Sequence, residues 1–157
     1  MAADWPAIFP IFSTITAAGE TYAYPDDLTS EEARELWTGG SRCVVAVEDD
    51  EILGTSTMGP NRTGRGDHIA TGSFMVAPGM QGRGVGRKLG EDLVRWAGEE
   101  GFRGIQFNAV VETNAGAVHL WQSLGFEIIG TVPGAFHHPE HGYVGLCVMF
   151  RPVGTGA

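Results

Sequence analysis

The sequence that decides the fold is Val76-Ala77-Pro78-Gly79-Met80-Gln81-Gly82-Arg83-Gly84-Val85-Gly86-Arg87-Lys88-Leu89. A strand-like run covers residues 68–76 before it, and a helix-like run begins at Val85. Three glycines at alternate positions, the first at Gly82, let the backbone approach a ligand closely and adopt positive φ. The loop N–H groups then converge where the new helix presents the positive end of its dipole. This combination predicts a loop that binds a pyrophosphate.

Other nucleotide-binding folds also use glycine-rich turns, and the surrounding sequence disfavours them. A Rossmann loop lies in a first βαβ unit, and its third glycine would fall on Arg87. A Walker loop ends in Gly-Lys-Ser/Thr, which does not occur after Gly86. Arg83, Arg87 and Lys88 add positive charge to the loop in a chain that is otherwise acidic.

Two motifs in the right order resemble the GNAT superfamily of N-acetyltransferases. Residues 81–86 match its pyrophosphate signature, Q/R-x-x-G-x-G/A. Residues 114–126 read N-x-x-A-x-x-L-W-x-x-x-G-F, similar to the superfamily's N-x-x-A-x-x-L-Y-x-x-x-G-F, and they follow a strand-like run at 104–110. Order, spacing and flanking elements agree from about Cys43 to Phe150. The resemblance implies a mixed α/β (α+β) fold, with a mostly antiparallel sheet of about six or seven strands flanked by four helices.

Length and composition narrow the possible functions. The 157 residues predict a single domain spanning residues 1–157. A net charge of −9 disfavours nucleic acid as a partner, because phosphate binding needs a basic face. There is no apolar run of about 18 residues and no secretory signal, which predicts a cytoplasmic protein without a membrane span. Cys43 and Cys147 are expected as reduced thiols buried in the core, and no cluster has the ligand spacing of a metal site.

Periodicity and end signals predict the order of elements. Helices are expected at 5–18, 30–37, 85–98 and 115–124, and strands at 43–48, 51–58, 68–76, 104–110, 126–132 and 143–150. Thr29 with Glu32 predicts a capping box. Members of the superfamily usually begin with a strand, which is either absent here or omitted from the given sequence. Six strands are therefore expected, with the hairpin strand 43–48 at an edge and a histidine-rich loop between the last two.

The resemblance implies that acetyl-CoA is the co-substrate, and it assigns residues to that molecule on three elements. The glycine-rich loop would hold the pyrophosphate. The end of strand 68–76 would splay from its neighbour, so that its backbone groups bind the pantetheine and the Val76 amide acts as oxyanion donor. The predicted cofactor-binding residues are Met75, Val76, Gln81, Gly82, Arg83, Gly84, Val85, Gly86, Arg87, Asn114, Ala117 and Trp121.

Trp121 departs from the superfamily pattern, which often has a tyrosine that protonates the departing thiolate. An indole N–H only donates hydrogen bonds and cannot act as an acid. Trp121 is therefore expected to pack on the pantetheine or to hydrogen-bond the sulfur. Tyr22, Tyr24 or Tyr143 can substitute as the acid, although thiols titrate near ~8.5 and the thiolate needs little help.

The residues that handle the acceptor amine are less defined. Glu20 is the expected partner for an ammonium group or for the proton of an attacking amine, and Glu112 is an alternative acting through water. Asn108 shares a strand face with Gln106, and two buried amides there predict a polar cavity in which Asn108 orients the acceptor. The remaining walls of the acceptor pocket are expected from Tyr22, Tyr24, His137, His138 and the loop up to His141; an ordinary polar loop is the alternative for the histidines.

Three functions follow as hypotheses. The first is an acetyl-CoA-dependent N-acetyltransferase, in which the amine of a small molecule or amino acid attacks the thioester directly. The second is acetylation of a protein N-terminus or lysine, which requires an open groove. The third is a non-catalytic acyl-CoA-binding module, possible because no general base is evident. No metal is expected, and a homodimer is predicted from the resemblance alone.

Overall fold

The computed structural model describes residues 2–154. Its four α-helices are α1 Trp5–Ala18, α2 Ser30–Thr38, α3 Val85–Glu99 and α4 Ala115–Ser123. Its six strands are β1 Arg42–Glu48, β2 Glu51–Pro60, β3 Ile69–Val76, β4 Gly104–Val111, β5 Glu127–His138 and β6 Gly142–Pro152. The predicted fold class is confirmed, with six strands in the part of the chain that the structure describes.

One sheet carries the strands in the order β1-β2-β3-β4-β6-β5, which places the hairpin strand β1 at an edge as predicted. Every neighbouring pair is antiparallel except β3 and β4. Those two strands pair in parallel through only Ile69–Gly104 and Ala70–Ile105. Beyond that point they diverge and open a space, here called the strand gap, toward their carboxyl ends.

Helices cover both faces of the sheet. Helix α3 packs through Val85, Leu89, Leu93 and Trp96, which share one face of the helix and are all buried. Helices α1 and α2 cover the opposite face, where the Trp37 indole donates to the Thr55 hydroxyl at 3.1 Å. The strand gap therefore lies between two helical layers that are themselves well packed.

The predicted end signals of α2 are present. Thr29 caps the helix by accepting from the Glu32 amide at 3.2 Å, and the Glu32 carboxylate accepts from the Thr29 amide at 2.8 Å. This reciprocal pair satisfies two donors that the first turn would otherwise leave unpaired. The cap ends the α1–α2 connection, residues 19–29.

The last two strands differ from the prediction. β5 continues to His138 and β6 begins at Gly142, so the expected histidine-rich loop is a short turn at the tip of a long hairpin. Register shifts after Ile128 and Val132 let β5 bend along β6, which weakens the strict alternation that marks a strand in sequence. His137 and His138 consequently lie on a strand.

Both cysteines are free thiols, as predicted; Cys147 is buried as expected, whereas Cys43 is only partly buried. Among residues 2–154, no helix has the length and apolar character needed to cross a membrane.

Candidate functional site

The strand gap exposes alternate backbone groups of β3. Successive residues of an antiparallel strand direct their N–H and C=O groups to opposite sides. The Ala77 amide donates to the Leu53 carbonyl of β2, so Met75 also faces β2, while Phe74 and Val76 face the gap. The orientation of Val76 is thus as the pantetheine prediction requires. Met75 is a correction, since its backbone faces β2 and its side chain is buried against α1 and α2.

The glycine-rich loop follows β3 directly and has the backbone shape that the sequence predicts. Gly79, Gly82 and Gly84 all have positive φ, between 79° and 84°. A Cβ built on Gly82 or Gly84 would meet nothing within 4 Å, so the backbone is open on that side. The first N–H groups of α3 lack intrahelical partners and point out of the helix end, toward the loop. These features fit a pyrophosphate.

Two arginines flank the loop and are held by side chains of other elements. The Arg83 guanidinium lies 2.6 Å from the Glu48 carboxylate, at the end of β1. The Arg87 guanidinium donates to the Ser123 hydroxyl at 2.6 Å, at the end of α4. All four side chains are exposed. Both cations are therefore positioned at the surface beside the loop, where a phosphate could displace their present partners.

Two residues of the α4 motif, Asn114 and Trp121, lie in different environments. Asn114 caps the helix, accepting from the Ala117 amide at 3.3 Å, so its side-chain amino group remains available to a ligand. Trp121 is only 7% exposed and packs among Phe74, Phe107 and Phe126. This placement differs from the expected packing of Trp121 on a pantetheine, because the indole is buried in tilted and edge-on contacts with three core phenylalanines.

An acidic cleft of about 260 Å³ lies at the carboxyl end of β4. It brings together the predicted residues Glu20, Asn114 and His138, which come from three different elements. Thr21, Thr113, Glu140 and His141 complete its lining. Two carboxylates without a lysine or arginine in the lining favour a cationic or amine-bearing occupant.

The imidazole of His138 is oriented by the turn that follows it. Its Nδ1 accepts from the amides of Glu140 and His141, at 3.1 and 3.2 Å. A nitrogen that accepts two N–H groups does not carry a proton, so the neutral ring has its proton on Nε2. His138 therefore offers a hydrogen-bond donor to its surroundings, and the general base must be sought elsewhere in the cleft.

A second, aromatic cleft of about 350 Å³ lies next to the first, between the α1–α2 connection and β5. Tyr22, Tyr24 and His137, predicted together as pocket walls, all line it. The His137 ring also stacks on Tyr143, with centroids 4.6 Å apart. Both clefts thus use the α1–α2 connection and the β5–β6 hairpin as opposite walls.

The predicted polar cavity at Asn108 is wrong. Asn108 is exposed, and its side chain bridges Gln106 and Asn61 at 2.9 and 2.6 Å. Because Asn61 follows β2 and Asn108 lies on β4, this chain of amides crosses β3 near the origin of the strand gap. The register shift between Phe107 and Val110 interrupts the alternation from which burial was predicted.

Glu112 also lies outside both cleft linings. Its carboxylate reaches over Gly145 of β6, where a Cβ added to the glycine would meet it at 2.6 Å. Its proposed action through water therefore stays a prediction, and Glu20 is better placed. Among the described residues, no group of three or more His, Cys, Asp or Glu side chains is arranged to hold a metal ion.

Sequence reasoning missed the contact between Tyr22 and the splayed strand. The Tyr22 hydroxyl accepts from the Phe74 amide at 2.8 Å and donates to the Phe74 carbonyl at 2.5 Å. These are the gap-facing groups of β3. Two aromatic residues in an otherwise polar connection, Tyr22 and Tyr24, were the available signal that this segment docks against the sheet.

A mixed sheet that opens beside a glycine-rich phosphate loop defines an acyl-CoA-dependent acyltransferase of the GCN5-related type. The chain belongs to the acetyltransferase (GNAT) family, whose model matches residues 5–126. It is 36% identical over 144 residues to N-acetyltransferase aca1 of Schizosaccharomyces pombe, covering 80% of this chain and 69% of that protein. It is 33% identical to L-amino acid N-acyltransferase MnaT of Escherichia coli, covering 65% of this chain and 58% of that one.

Solved structures agree with this assignment. A GCN5-related N-acetyltransferase from Kribbella flavida has a TM-score of 0.95 and 62% identity, covering 98% of this chain and 94% of that one. The putative acetyltransferase yncA from Salmonella typhimurium, solved with its cofactor acetyl-CoA, has a TM-score of 0.82 and 26% identity, covering 99% and 91%. The chain is therefore a GNAT acyltransferase, and a structural neighbour binds acetyl-CoA.

Proposed function

We propose that this protein transfers an acetyl group from acetyl-CoA to the primary or secondary amine of a small molecule or amino acid. The observation that carries the proposal is the shared lining of the acidic cleft, where Glu20 lies with Asn114. β3 and β4 are parallel, so their carboxyl ends lie at the same edge of the sheet. The glycine-rich loop, Asn114 and Glu20 therefore converge where the strand gap opens.

The residues present fit acetyl-CoA, which would supply the activated acetyl group. The loop 81–86 offers backbone N–H groups to the pyrophosphate, and Arg83 and Arg87 offer charge beside it. Val76 offers backbone groups on the gap side of β3, and the Asn114 amino group offers a donor at the start of α4. This division leaves the acidic cleft free for a second substrate.

In the acidic cleft, Glu20 would bind the ammonium form of the acceptor and receive the proton released when the amine attacks. An alkyl ammonium titrates near ~10.4, so at neutral pH most of it must lose a proton before it can act as a nucleophile. Glu20 is exposed, which lets it pass that proton on to solvent. The Nε2–H of His138 would orient a carboxylate or carbonyl of the acceptor.

The size of the two clefts favours a small acceptor over a protein segment. The two clefts, of about 260 and 350 Å³, have volumes near the lower end of the range for ligand sites. The β5–β6 hairpin and the α1–α2 connection form opposite walls of both clefts. The relative MnaT is named for amino acids as acceptors, which supports the same substrate class here. The cytoplasmic location and the homodimer remain predictions of the sequence.

The experiment is a panel of amines and amino acids with detection of the released CoA thiol. Thiol release with one or more amines, and only background release with their N-acetylated analogues, is the expected result. Background release throughout the panel, despite measurable acetyl-CoA binding, would favour the non-catalytic module.

The role of Glu20 is tested on the acceptor that the panel identifies. Glu20→Gln should raise the KM for that amine about tenfold or more and leave the Kd of acetyl-CoA within about threefold, because Glu20 contacts only one substrate. Glu100→Gln removes an exposed carboxylate from the far end of α3 and is the matched control. Equal acceptor kinetics in both variants would exclude Glu20.

A further inference from the structure

The Tyr22 hydroxyl lies in the strand gap, two residues before Val76, whose amide the resemblance assigns to the thioester oxygen. It bonds both gap-facing groups of Phe74, as a neighbouring strand would. We propose that, in the reaction proposed above, Tyr22 donates a hydrogen bond to the thioester oxygen while negative charge develops on it. This inference rests on the proposed function, and it adds a side chain from the α1–α2 connection to the reacting centre.

Tyr22 is held too firmly to leave when a ligand enters the gap. Its ring stacks on Tyr24 with centroids 5.5 Å apart and planes 4° from parallel. Tyr24 in turn stacks on Phe12 at 5.6 Å, and Phe12 is 1% exposed in the α1 core. Displacing Tyr22 would break this stack, so an acyl group must be bound with the hydroxyl in place.

The two hydrogen bonds to Phe74 leave the phenol proton free to change partners. The hydroxyl oxygen keeps its bond from the Phe74 amide, while rotation about the C–O bond turns the proton from the Phe74 carbonyl to another acceptor. The ring and the backbone do not move during this change. A preorganised donor of this kind gains strength as negative charge grows on the acceptor.

Tyr22 acts as a hydrogen-bond donor rather than as an acid. Burial raises the pKa of its phenol above the ordinary value, and the hydrogen bond with Phe74 only partly opposes that shift. A thiol titrates near ~8.5, so the thiolate that leaves is a weaker base than the phenolate and does not take this proton. The N–C bond forms and the C–S bond breaks, the sulfur keeps the electron pair, and the amine proton goes to Glu20.

The position of Trp121 is consistent with this role. The superfamily tyrosine is absent there, and the indole is buried among three phenylalanines. Tyr22 is the tyrosine whose hydroxyl bonds the gap-facing backbone of β3, since the Tyr24 hydroxyl bonds the Ser73 side chain and Tyr143 is 74% exposed on the β5–β6 hairpin. The reaction therefore has a tyrosine hydroxyl available, from a different element of the chain.

The test is Tyr22→Phe, which keeps the ring stack and removes only the hydroxyl. We expect kcat to fall about 100-fold, the loss typical of one oxyanion donor, while the Kd of acetyl-CoA measured by calorimetry and the amine KM stay within about threefold. The matched control is Thr55→Val, which removes a hydroxyl that likewise bridges two groups, the Trp37 indole and the Val44 carbonyl. It should lower the thermal midpoint without changing kcat.

Two results would overturn the inference while leaving the proposed function intact. An unchanged kcat with a lowered thermal midpoint, as in Thr55→Val, would make Tyr22 a structural anchor. An unchanged kcat with acetyl-CoA bound about tenfold more tightly would make it a placeholder that the ligand displaces. Absence of thiol release from the wild-type protein would overturn the proposed function and this inference together.

If Tyr22→Phe does not fold, 3-fluorotyrosine at position 22 replaces it, because this residue retains both the stack and the hydroxyl. Its kcat should remain within about threefold of the wild-type value or exceed it, since a more acidic phenol is a better donor. A loss of tenfold or more with the hydroxyl present, at unchanged acetyl-CoA affinity, would contradict the proposed role.

Discussion

The indole of Trp121 lies 4.7 Å from the ring of Phe74, centroid to centroid, on the side of β3 that faces α3 and α4. Phe74 is also one of the two residues, with Val76, whose backbone groups face the strand gap. The core beneath α4 and the candidate acyl site therefore share one residue of β3. A substitution of Trp121 can therefore alter the geometry of the candidate acyl site by shifting Phe74, even though Trp121 itself does not contact a substrate.

Trp121→Phe should retain at least about a third of the wild-type kcat at saturating acetyl-CoA, because the indole is a packing group and holds no proton for the reaction. Trp121→Ala should lower the free energy of unfolding by about 3–5 kcal/mol through the cavity it leaves. Thermal unfolding and steady-state kinetics of both variants check this. A hundredfold loss of kcat in the Phe variant, with normal stability, would make the indole N–H essential.

Gly84→Asp should weaken acetyl-CoA binding at least about 30-fold, because it places a carboxylate on the open face of the loop. Gly84 has a φ of 79°, which asparagine tolerates better than most residues, so Gly84→Asn is the control for backbone strain. Calorimetry with acetyl-CoA should find the Asn variant much closer to wild type. Wild-type affinity in the Asp variant would show that the pyrophosphate does not bind to this loop.

His138→Ala should lower the free energy of unfolding by about 1–3 kcal/mol, because two turn amides lose the acceptor Nδ1 at a buried position. His138→Asn places an oxygen at the same distance along the side chain and should restore much of that loss. The Asn variant lacks Nε2–H, so its amine KM should still rise. If His138→Asn has the same acceptor kinetics as wild type, His138 stabilises the turn and does not bind the acceptor.

Asp92 should make stability depend on pH in the acid range. Burial alone would raise its pKa, but hydrogen bonds and charges from Arg42 and Arg95 outweigh burial and lower the pKa below its ordinary value. The carboxylate is thus ionised more readily in the folded than in the unfolded chain, where the pKa is ~3.9. Its contribution is present above that pH and is lost as the pH falls through the lower folded pKa.

Asp92→Asn should therefore be less stable than wild type at neutral pH, by a modest amount because solvent still reaches Asp92 and its two arginines and screens their interaction. The difference should shrink as the pH falls below about 4, because the carboxylate is protonated there in the unfolded chain and, at the lower folded pKa, also in the folded one. Thermal midpoints from pH 7 to pH 3 measure this. A difference that stays constant with pH would exclude ionisation of Asp92 as its cause.

The amino-acid sequence by itself determined the features that depend on neighbouring residues. The glycine spacing at 82–86, the capping box at Thr29 and the Asn114 cap are all set by contacts within a few residues. The helix periods were predictable for the same reason, whereas the position of β1 at the sheet edge was expected from the resemblance to the superfamily. Two motifs in the right order then sufficed to identify the fold class.

The tertiary structure alone decided which groups meet. Tyr22 and Phe74 are 52 residues apart, and no local pattern signals that the hydroxyl of one bonds the backbone of the other. Asn108 is exposed, and Met75 faces β2, because of register, which depends on how whole strands pair and where they bulge. Caps and turns form between residues that are close in sequence and can therefore be predicted from it. The acidic cleft forms only when three elements that are distant in sequence pack against one sheet.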